Sequence, residues 1–120
     1  MILRHSDEMR TQGIEKMRDG KGVVTVKHLL GPEEMLGKGR LFALNTLPVG
    51  ASIGLHRHTG DAEAYYFLEG SGRYLNNAEE LAVAAGDLTF VADGDQHSIE
   101  NTGTRPLVFI ALILFTEPKP

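Results

Sequence analysis

Short apolar runs separated by turn residues fill the chain from Gly22 onward. The first of them, Val23-Val24-Thr25-Val26, consists of β-branched residues, which favour extended strands. Glycine, asparagine and aspartate stand between the runs, because they accept left-handed backbone or cap their own turns. The other predicted strands lie at residues 40–47, 51–58, 63–68, 71–75, 81–84, 88–91, 97–100 and 106–115. About nine or ten short strands with almost no helix predict an all-β sandwich or barrel.

The alternation of side chains within two of these runs predicts which faces are buried. In the run 51–58 the even positions are all polar or small, namely Ser52, Gly54, His56 and His58. We therefore expect Ser52 and Gly54 to leave room beside the two histidines inside the fold. In the run 106–115 both faces are apolar, so that strand needs cover on both sides. A second subunit can cover the outer face of this strand, so we expect a homodimer.

The first 21 residues differ from the rest of the chain. They carry mixed charge, and Gly13 and Gly20 interrupt any helical pattern. This segment is interpreted as an arm, a short helix or an edge strand. No linker or repeat divides the chain, and 120 residues is an ordinary length for one domain. The predicted organisation is an N-terminal arm at 1–21 followed by a β-barrel domain at 22–120.

Composition and charge narrow the classes of function. The 12 basic and 16 acidic residues give a net charge of −4, which argues against a nucleic-acid or anionic-membrane surface. The longest apolar run, Leu107 to Phe115, has nine residues, whereas a membrane-spanning helix needs about 20. The chain has no cysteine, which fits a reducing compartment. We expect a soluble cytoplasmic protein that binds neither nucleic acid nor membrane.

Three histidines and one glutamate form a pattern with metal-binding chemistry. His56 and His58 are two residues apart on a predicted strand, so both imidazoles leave the same face, about 6–7 Å apart. Glu63 follows a Gly60-Asp61 turn, and His97 begins a later strand. Three imidazoles and one carboxylate suit Mn, Fe, Co, Ni, Cu or Zn better than Ca or Mg. Each member alone is more often an ordinary surface or core residue, and it is their joint spacing that favours a metal site.

The spacing of these residues with glycines resembles two motifs of the cupin superfamily. The first motif is matched, in order, by Gly50, His56, His58, Glu63 and Gly70. The second is matched by Gly86, Asp93, Gly94, His97 and Asn101, with Ala92 where the family usually has proline. Fifteen residues, 71–85, separate the motifs, as in small single-domain bacterial cupins. The resemblance implies a double-stranded β-helix, a jelly-roll-like barrel, in which one divalent transition metal is held by His56, His58, Glu63 and His97.

The resemblance leaves the reaction open, because this fold carries many unrelated functions. One hypothesis is a metalloenzyme of the isomerase, dioxygenase or decarboxylase type that acts on a small oxygenated organic molecule. Tyr65 shares the inward parity of Glu63. It is interpreted either as a core residue or, as the catalytic candidate for this hypothesis, as a hydroxyl lent to a metal-bound water or substrate. The alternative is a non-catalytic module that binds a metal or a small ligand. A pocket with nothing protonatable beyond the four metal ligands favours that alternative.

Other polar residues near the predicted site have less specific interpretations. Arg40 and Arg73 could reach an anionic substrate if they face inward, but they are expected to be surface charges, since a buried guanidinium without a partner is costly. His5 and His28 lack partners in the pattern and are expected outside the site. Three residues near the predicted mouth are interpreted as acceptors for an imidazole N–H or as turn formers, namely Asp93, Asp95 and Gln96.

Overall fold

The computed structural model describes residues 1–117, within which ten strands pair in antiparallel fashion. The strands are β1 (Thr11–Glu15), β2 (Val23–Leu30), β3 (Gly39–Leu47), β4 (Ser52–Arg57), β5 (Asp61–Glu69), β6 (Ser71–Asn76), β7 (Glu79–Ala84), β8 (Leu88–Val91), β9 (Gln96–Glu100) and β10 (Leu107–Phe115). Short 3-10 turns lie at Ser6–Glu8, Met17–Asp19 and Pro32–Glu34. The predicted all-β class is confirmed. In the described range, no helix has the length and hydrophobicity to cross a membrane.

The strands form two sheets around one core. Six strands lie in the order β1-β2-β3-β10-β5-β8, and four lie in the order β4-β9-β6-β7. Because side chains alternate along each strand, β10 buries its odd-numbered residues against the core. The largest fully buried side chains include Tyr65, Phe67, Tyr74 and Phe109. Tyr66, between two of them on β5, is 46% exposed, as its parity with respect to Glu63 predicts.

The N-terminal segment contributes an edge strand to the larger sheet. β1 pairs with β2 from Thr11 opposite Lys27 to Glu15 opposite Val23. Arg4 holds the preceding residues in place, since its guanidinium donates to the Leu29 carbonyl at 2.8 Å and lies 2.7 Å from the Glu34 carboxylate. Of the three interpretations of residues 1–21, an edge strand therefore describes 11–15.

A β-bulge in β4 changes which of its side chains face the core. Ile53 pairs with Ile99 and His56 with His97, so a three-residue step on β4 matches a two-residue step on β9. Ile53 is 1% exposed and lines the same internal cavity as His56. The Ser52 hydroxyl instead accepts a hydrogen bond from a backbone N–H outside the core. The expectation that Ser52 and Gly54 lie inside beside the histidines is wrong, because the extra residue reverses the alternation.

The loop before β9 is tied to the end of β4. Gly94 adopts φ 92°, a left-handed conformation that favours glycine. Its N–H donates to the His58 carbonyl at 2.7 Å, and the His58 N–H donates to the Asp95 carbonyl at 3.0 Å. Ala92 closes the turn without proline, since its carbonyl accepts the Asp95 N–H at 3.1 Å. These bonds hold His58 and His97 near each other.

The outer face of the six-stranded sheet is apolar across four neighbouring strands. Two cross-strand rows run over β3, β10, β5 and β8, namely Leu44–Ile110–Tyr66–Leu88 and Phe42–Leu112–Ala64–Phe90. Leu88 is 66% exposed and Phe90 is 60% exposed. The apolar outer side of β10, predicted from its sequence, is therefore part of a wider apolar surface that we call the outer apolar face.

Candidate metal centre

Four side chains that are distant in the sequence meet between the two sheets. His56 lies on β4, His58 directly follows it, Glu63 lies on β5 and His97 lies on β9. The Nε2 atom of His97 is 3.1 Å from Nε2 of His56 and 3.1 Å from Nε2 of His58. The Glu63 Oε1 atom is 3.1 Å from Nε2 of both His58 and His97, and all four donor atoms lie within 4.8 Å of one another. Ligands of one ion show such separations when each is about 2.0–2.2 Å from it.

Each of the three imidazoles is oriented by a hydrogen bond on its other nitrogen. Nδ1 of His56 is 2.7 Å from the Gly54 carbonyl oxygen, and Nδ1 of His58 is 2.7 Å from the Asp61 carboxylate. Both partners are acceptors, so these Nδ1 atoms carry the proton. Nδ1 of His97 is 2.7 Å from the Tyr74 hydroxyl. This arrangement turns the Nε2 lone pairs towards the common centre, as in histidines that bind metals.

Burial makes this cluster costly without a cation. His58, Glu63 and His97 are at most 4% exposed, and His56 is half-buried. Burial disfavours the charge on Glu63, yet hydrogen bonds from His58 and His97 outweigh it and lower the pKa of Glu63 to about 2. Burial lowers the pKa of His56 to about 4. In the metal-free protein, Nε2 hydrogens thus face the ionised Glu63 carboxylate away from water. A divalent cation would replace those hydrogens, bind the Nε2 lone pairs and offset the carboxylate charge.

A cavity of about 160 Å³ lies beside the cluster, with room for roughly five water molecules at ~30 Å³ each. Among the described residues that line it, Glu63 is the sole carboxylate, whereas Arg18 and Arg40 bring positive charge. Asn45 also lines it and is 2% exposed, and within residues 1–117 no hydrogen-bond partner reaches its Oδ1 atom. A buried acceptor of this kind needs a partner from the cavity's contents. The cavity therefore suits a small polar molecule.

Comparison with known sequences assigns the family. The sequence model of the cupin domain matches residues 43–113, more than half of the chain. The chain is a cupin. The matched segment runs from β3 into β10 and contains all four candidate metal ligands.

Similar proteins agree with this assignment. An oxalate-binding protein of Thermotoga maritima is 46% identical to this cupin over 114 residues, which are 95% of this chain and 93% of that protein. The crystal structure of a predicted oxalate decarboxylase from Thermotoga maritima matches with a TM-score of 0.90 at 46% identity, covering 96% of this chain and 99% of that one. The tetracenomycin polyketide synthase protein TcmJ of Streptomyces glaucescens is 28% identical over 96 residues, or 80% of this chain and 64% of that protein. The structural match confirms the double-stranded β-helix fold.

Asp61 is a site residue that the sequence pattern does not indicate. The pattern predicts a turn at Asp61, but β5 begins there and points its side chain inward. Its two carboxylate oxygens accept hydrogen bonds from Nδ1 of His58 at 2.7 Å and from Nε of Arg40 at 2.8 Å. Arg40 is thus a partly exposed cation with a partner, and it lines the cavity. Asp61 stands two residues before Glu63, so the alternation of a longer strand would have identified it.

Two tyrosines pack directly on His97. Tyr65, the catalytic candidate, is buried and stacks on the imidazole with ring centroids 5.0 Å apart. Burial raises the pKa of Tyr65 well above 10, so its hydroxyl stays protonated at neutral pH. Nothing in the local sequence of Tyr74 links it to His97, so its place at the site could not be predicted. Burial raises the pKa of Tyr74 to about 12. Both phenols are hydrogen-bonding groups at neutral pH rather than bases.

The remaining candidates lie in different places. Asp93 accepts hydrogen bonds from the Gly60 N–H and the Thr116 hydroxyl, so it supports a turn and not an imidazole. Arg73 pairs with Glu80 and Glu100 on the surface, as expected. His28, which was expected outside the site, lines the cavity and lies 2.6 Å from the Gln12 amide oxygen. Its position follows from the pairing of β1 with β2, which the sequence pattern did not specify.

The affinity of this cupin for a divalent metal should fall as the pH is lowered. Burial disfavours the charged form of His58, but its hydrogen bonds to Glu63 and Asp61 raise its pKa above 6.5 in the metal-free protein. A metal binds the neutral imidazole, so below that pKa it must displace a proton, and its affinity falls by up to about tenfold per pH unit. His56, with a pKa of about 4, adds a second proton only in stronger acid. Calorimetric titration with Mn²⁺ between pH 5 and 8 measures this, and a constant affinity over that range would contradict it.

Proposed function

We propose that this cupin binds one divalent transition metal through His56, His58, Glu63 and His97, and a small carboxylate beside it. The observation that carries the proposal is the convergence of three Nε2 atoms and one carboxylate oxygen within 4.8 Å. The mainly nitrogen donor set favours Mn, Fe, Co, Ni, Cu or Zn over Ca and Mg. When bound, such an ion acts as a Lewis acid towards the ligand oxygens at its remaining positions.

The charge and size of the cavity support a small anion as the ligand. Of the two arginines that line it, Arg40 is paired with Asp61, while Arg18 keeps a positive charge that favours a carboxylate. The cavity volume of about 160 Å³ admits a molecule of few atoms. The relative named as an oxalate-binding protein points to the same class of ligand. Oxalate, with two carboxylates on six non-hydrogen atoms, is therefore the proposed ligand.

Ligand binding is proposed over turnover because, within residues 1–117, the cavity has no free carboxylate to act as a base. Two protonatable groups beyond the four ligands, His28 and Tyr65, nevertheless line this part of the cavity. Glu63 is a proposed metal ligand, and no other carboxylate lines the cavity among the described residues. Tyr65 stays protonated at neutral pH, and its hydroxyl hydrogen-bonds to Glu63. We propose that this proton orients Glu63 or turns to the small ligand when it is bound. The alternative remains a metalloenzyme acting on a small oxygenated molecule, in which Tyr65 is the acid.

The outer apolar face supports the proposal of a homodimer. Its eight side chains form one contiguous patch, in which Tyr66, Leu88 and Phe90 are 46%, 66% and 60% exposed, and contiguous exposed apolar patches commonly mark protein–protein contacts. A second copy of the chain presents the same face, so a two-fold symmetric contact covers both at once. We propose that this face, centred on Tyr66, Leu88 and Phe90, joins two subunits.

The first prediction from this proposed function concerns metal content. The protein purified after supplementation with Mn²⁺ should hold about one ion per chain, measured by elemental analysis after dialysis. Replacing His97 by alanine removes a donor from the centre of the cluster, so we expect at least a 100-fold weaker affinity. His5→Ala, a change at an exposed histidine far from the cluster in sequence, is the control and should keep the metal. Equal metal content in wild type and His97→Ala would overturn the proposed ligand set.

The second prediction separates binding from turnover. Oxalate should raise the melting temperature of the Mn²⁺-loaded protein and not that of the metal-free protein, because the anion binds through the ion. Binding to the folded state stabilises it by about 2.7 kcal/mol when the ligand is at 100 times its dissociation constant. We expect no formate or carbon dioxide from oxalate in the same samples. Steady product formation that Tyr65→Phe abolishes would instead establish the enzyme alternative.

The third prediction concerns assembly. Light scattering should give twice the 13.1 kDa mass of the chain for wild type. Phe90→Glu places a charge in the apolar contact and should yield monomers, while its exposed position leaves the fold intact. Leu55→Glu is the matched control, since Leu55 is 48% exposed on the smaller sheet. A monomeric wild type, or a Phe90→Glu variant that remains dimeric, refutes the proposed interface.

A further inference from the structure

The loop between β1 and β2 packs on the strand that carries His56. Its 3-10 turn, Met17–Asp19, meets β4 backbone to backbone. A Cβ atom on Gly54 would lie 2.0 Å from the Arg18 carbonyl oxygen, and one on Gly20 would lie 2.2 Å from the Ser52 carbonyl oxygen. Glycine at both positions is therefore what allows this close contact. The loop is held two residues from His56.

The loop adopts an unfavourable backbone conformation. Lys16, Arg18 and Asp19 have φ angles of 49°, 53° and 63°, in the left-handed region that residues with a side chain seldom adopt. Hydrogen bonds from the Lys16 N–H to the Gly22 carbonyl and from the Asp19 N–H to the Lys16 carbonyl, both 2.9 Å, maintain it. Backbone strain of this kind persists where the surrounding structure enforces it, commonly at ligand sites.

The strained turn places Arg18, an exposed residue, in the wall of the cavity. Met17 and Arg18 both line the cavity beside the metal ligands. Arg40, the other arginine there, is already paired with Asp61. Within residues 1–117, no carboxylate and no other hydrogen-bond acceptor contacts the Arg18 guanidinium. Arg18 thus brings a positive charge that nothing in the described part of the chain neutralises by direct contact.

The charge count at the site differs for ligands with one and two carboxylates. A divalent ion with the ionised Glu63 and three neutral imidazoles leaves a net charge of +1. A monocarboxylate neutralises that charge, whereas a dicarboxylate such as oxalate overshoots it by one negative charge. The guanidinium of Arg18 restores neutrality, and the fork of an arginine binds a carboxylate through two parallel hydrogen bonds.

We infer that Arg18 binds the second carboxylate of the ligand and makes the site selective for dicarboxylates over monocarboxylates. This inference rests on the proposed metal and carboxylate binding. Arg18 lies outside the segment that the cupin model matches, residues 43–113. The selectivity is therefore a property of the N-terminal loop of this chain, added to the metal site of the barrel.

The test compares four proteins loaded with Mn²⁺: wild type, Arg18→Gln, Arg18→Lys and the control Lys16→Gln. Lys16→Gln removes a charge from the same loop at a side chain that does not line the cavity. Calorimetry with oxalate and with acetate gives the two affinities for each protein. Arg18→Gln should lower the affinity for oxalate roughly 10- to 100-fold, which is the cost of one charge-assisted contact. The affinity for acetate should fall less than about threefold. Arg18→Lys should recover part of the loss, and Lys16→Gln should match wild type.

The outcomes distinguish this inference from the proposed function. Unchanged oxalate affinity in Arg18→Gln overturns the inference while the proposed function stands. Equal losses for oxalate and acetate, or a loss of Mn²⁺ affinity, overturn it as well, because Arg18 would then act on the whole site or on the fold. A wild type that binds Mn²⁺ but neither anion contradicts the carboxylate proposal itself.

Discussion

The crowding of four electron-pair donors in a dry space is the constraint on which the site depends. Hydrogen bonds at Nδ1 keep the imidazoles in place against this mutual repulsion. The partners are the Gly54 carbonyl, the Asp61 carboxylate and the Tyr74 hydroxyl. These partners are supplied by β4, β5 and β6, so both sheets contribute to the orientation of the donors. A cation at the centre would convert that repulsion into attraction, and metal binding would then stabilise the folded state.

Much of this arrangement could be predicted from the sequence. Apolar runs between turn residues predicted the strands, and the alternation of side chains predicted the inward face of β5. The spacing of histidines with glycines identified the four donor residues. The β-bulge at Ile53–His56 could not be predicted, because it depends on pairing with β9 and not on the local pattern. The positions of Tyr74 and His28 at the site could not be predicted for the same reason, since they depend on contacts between elements distant in the chain.

Different parts of the chain supply the candidate metal ligands and one wall of the cavity. The barrel positions the metal ligands, and the matched cupin segment contains all of them. The loop at Met17–Asp19 lies outside that segment and provides one wall of the cavity through a glycine-mediated contact with β4. If Arg18 selects the ligand as inferred, a change in this N-terminal loop would change the small-molecule ligand of a barrel that keeps the same four metal ligands.

The central claim is that three imidazoles and one carboxylate hold a single ion inside the barrel. X-ray absorption at the metal edge of the Mn²⁺-loaded protein tests it most directly, because imidazole rings give a characteristic scattering pattern beyond the nearest atoms. The account predicts three imidazoles per manganese, falling to two in His97→Ala. A shell of oxygen ligands without imidazole would show that the ion sits at surface carboxylates, and the account would then be wrong.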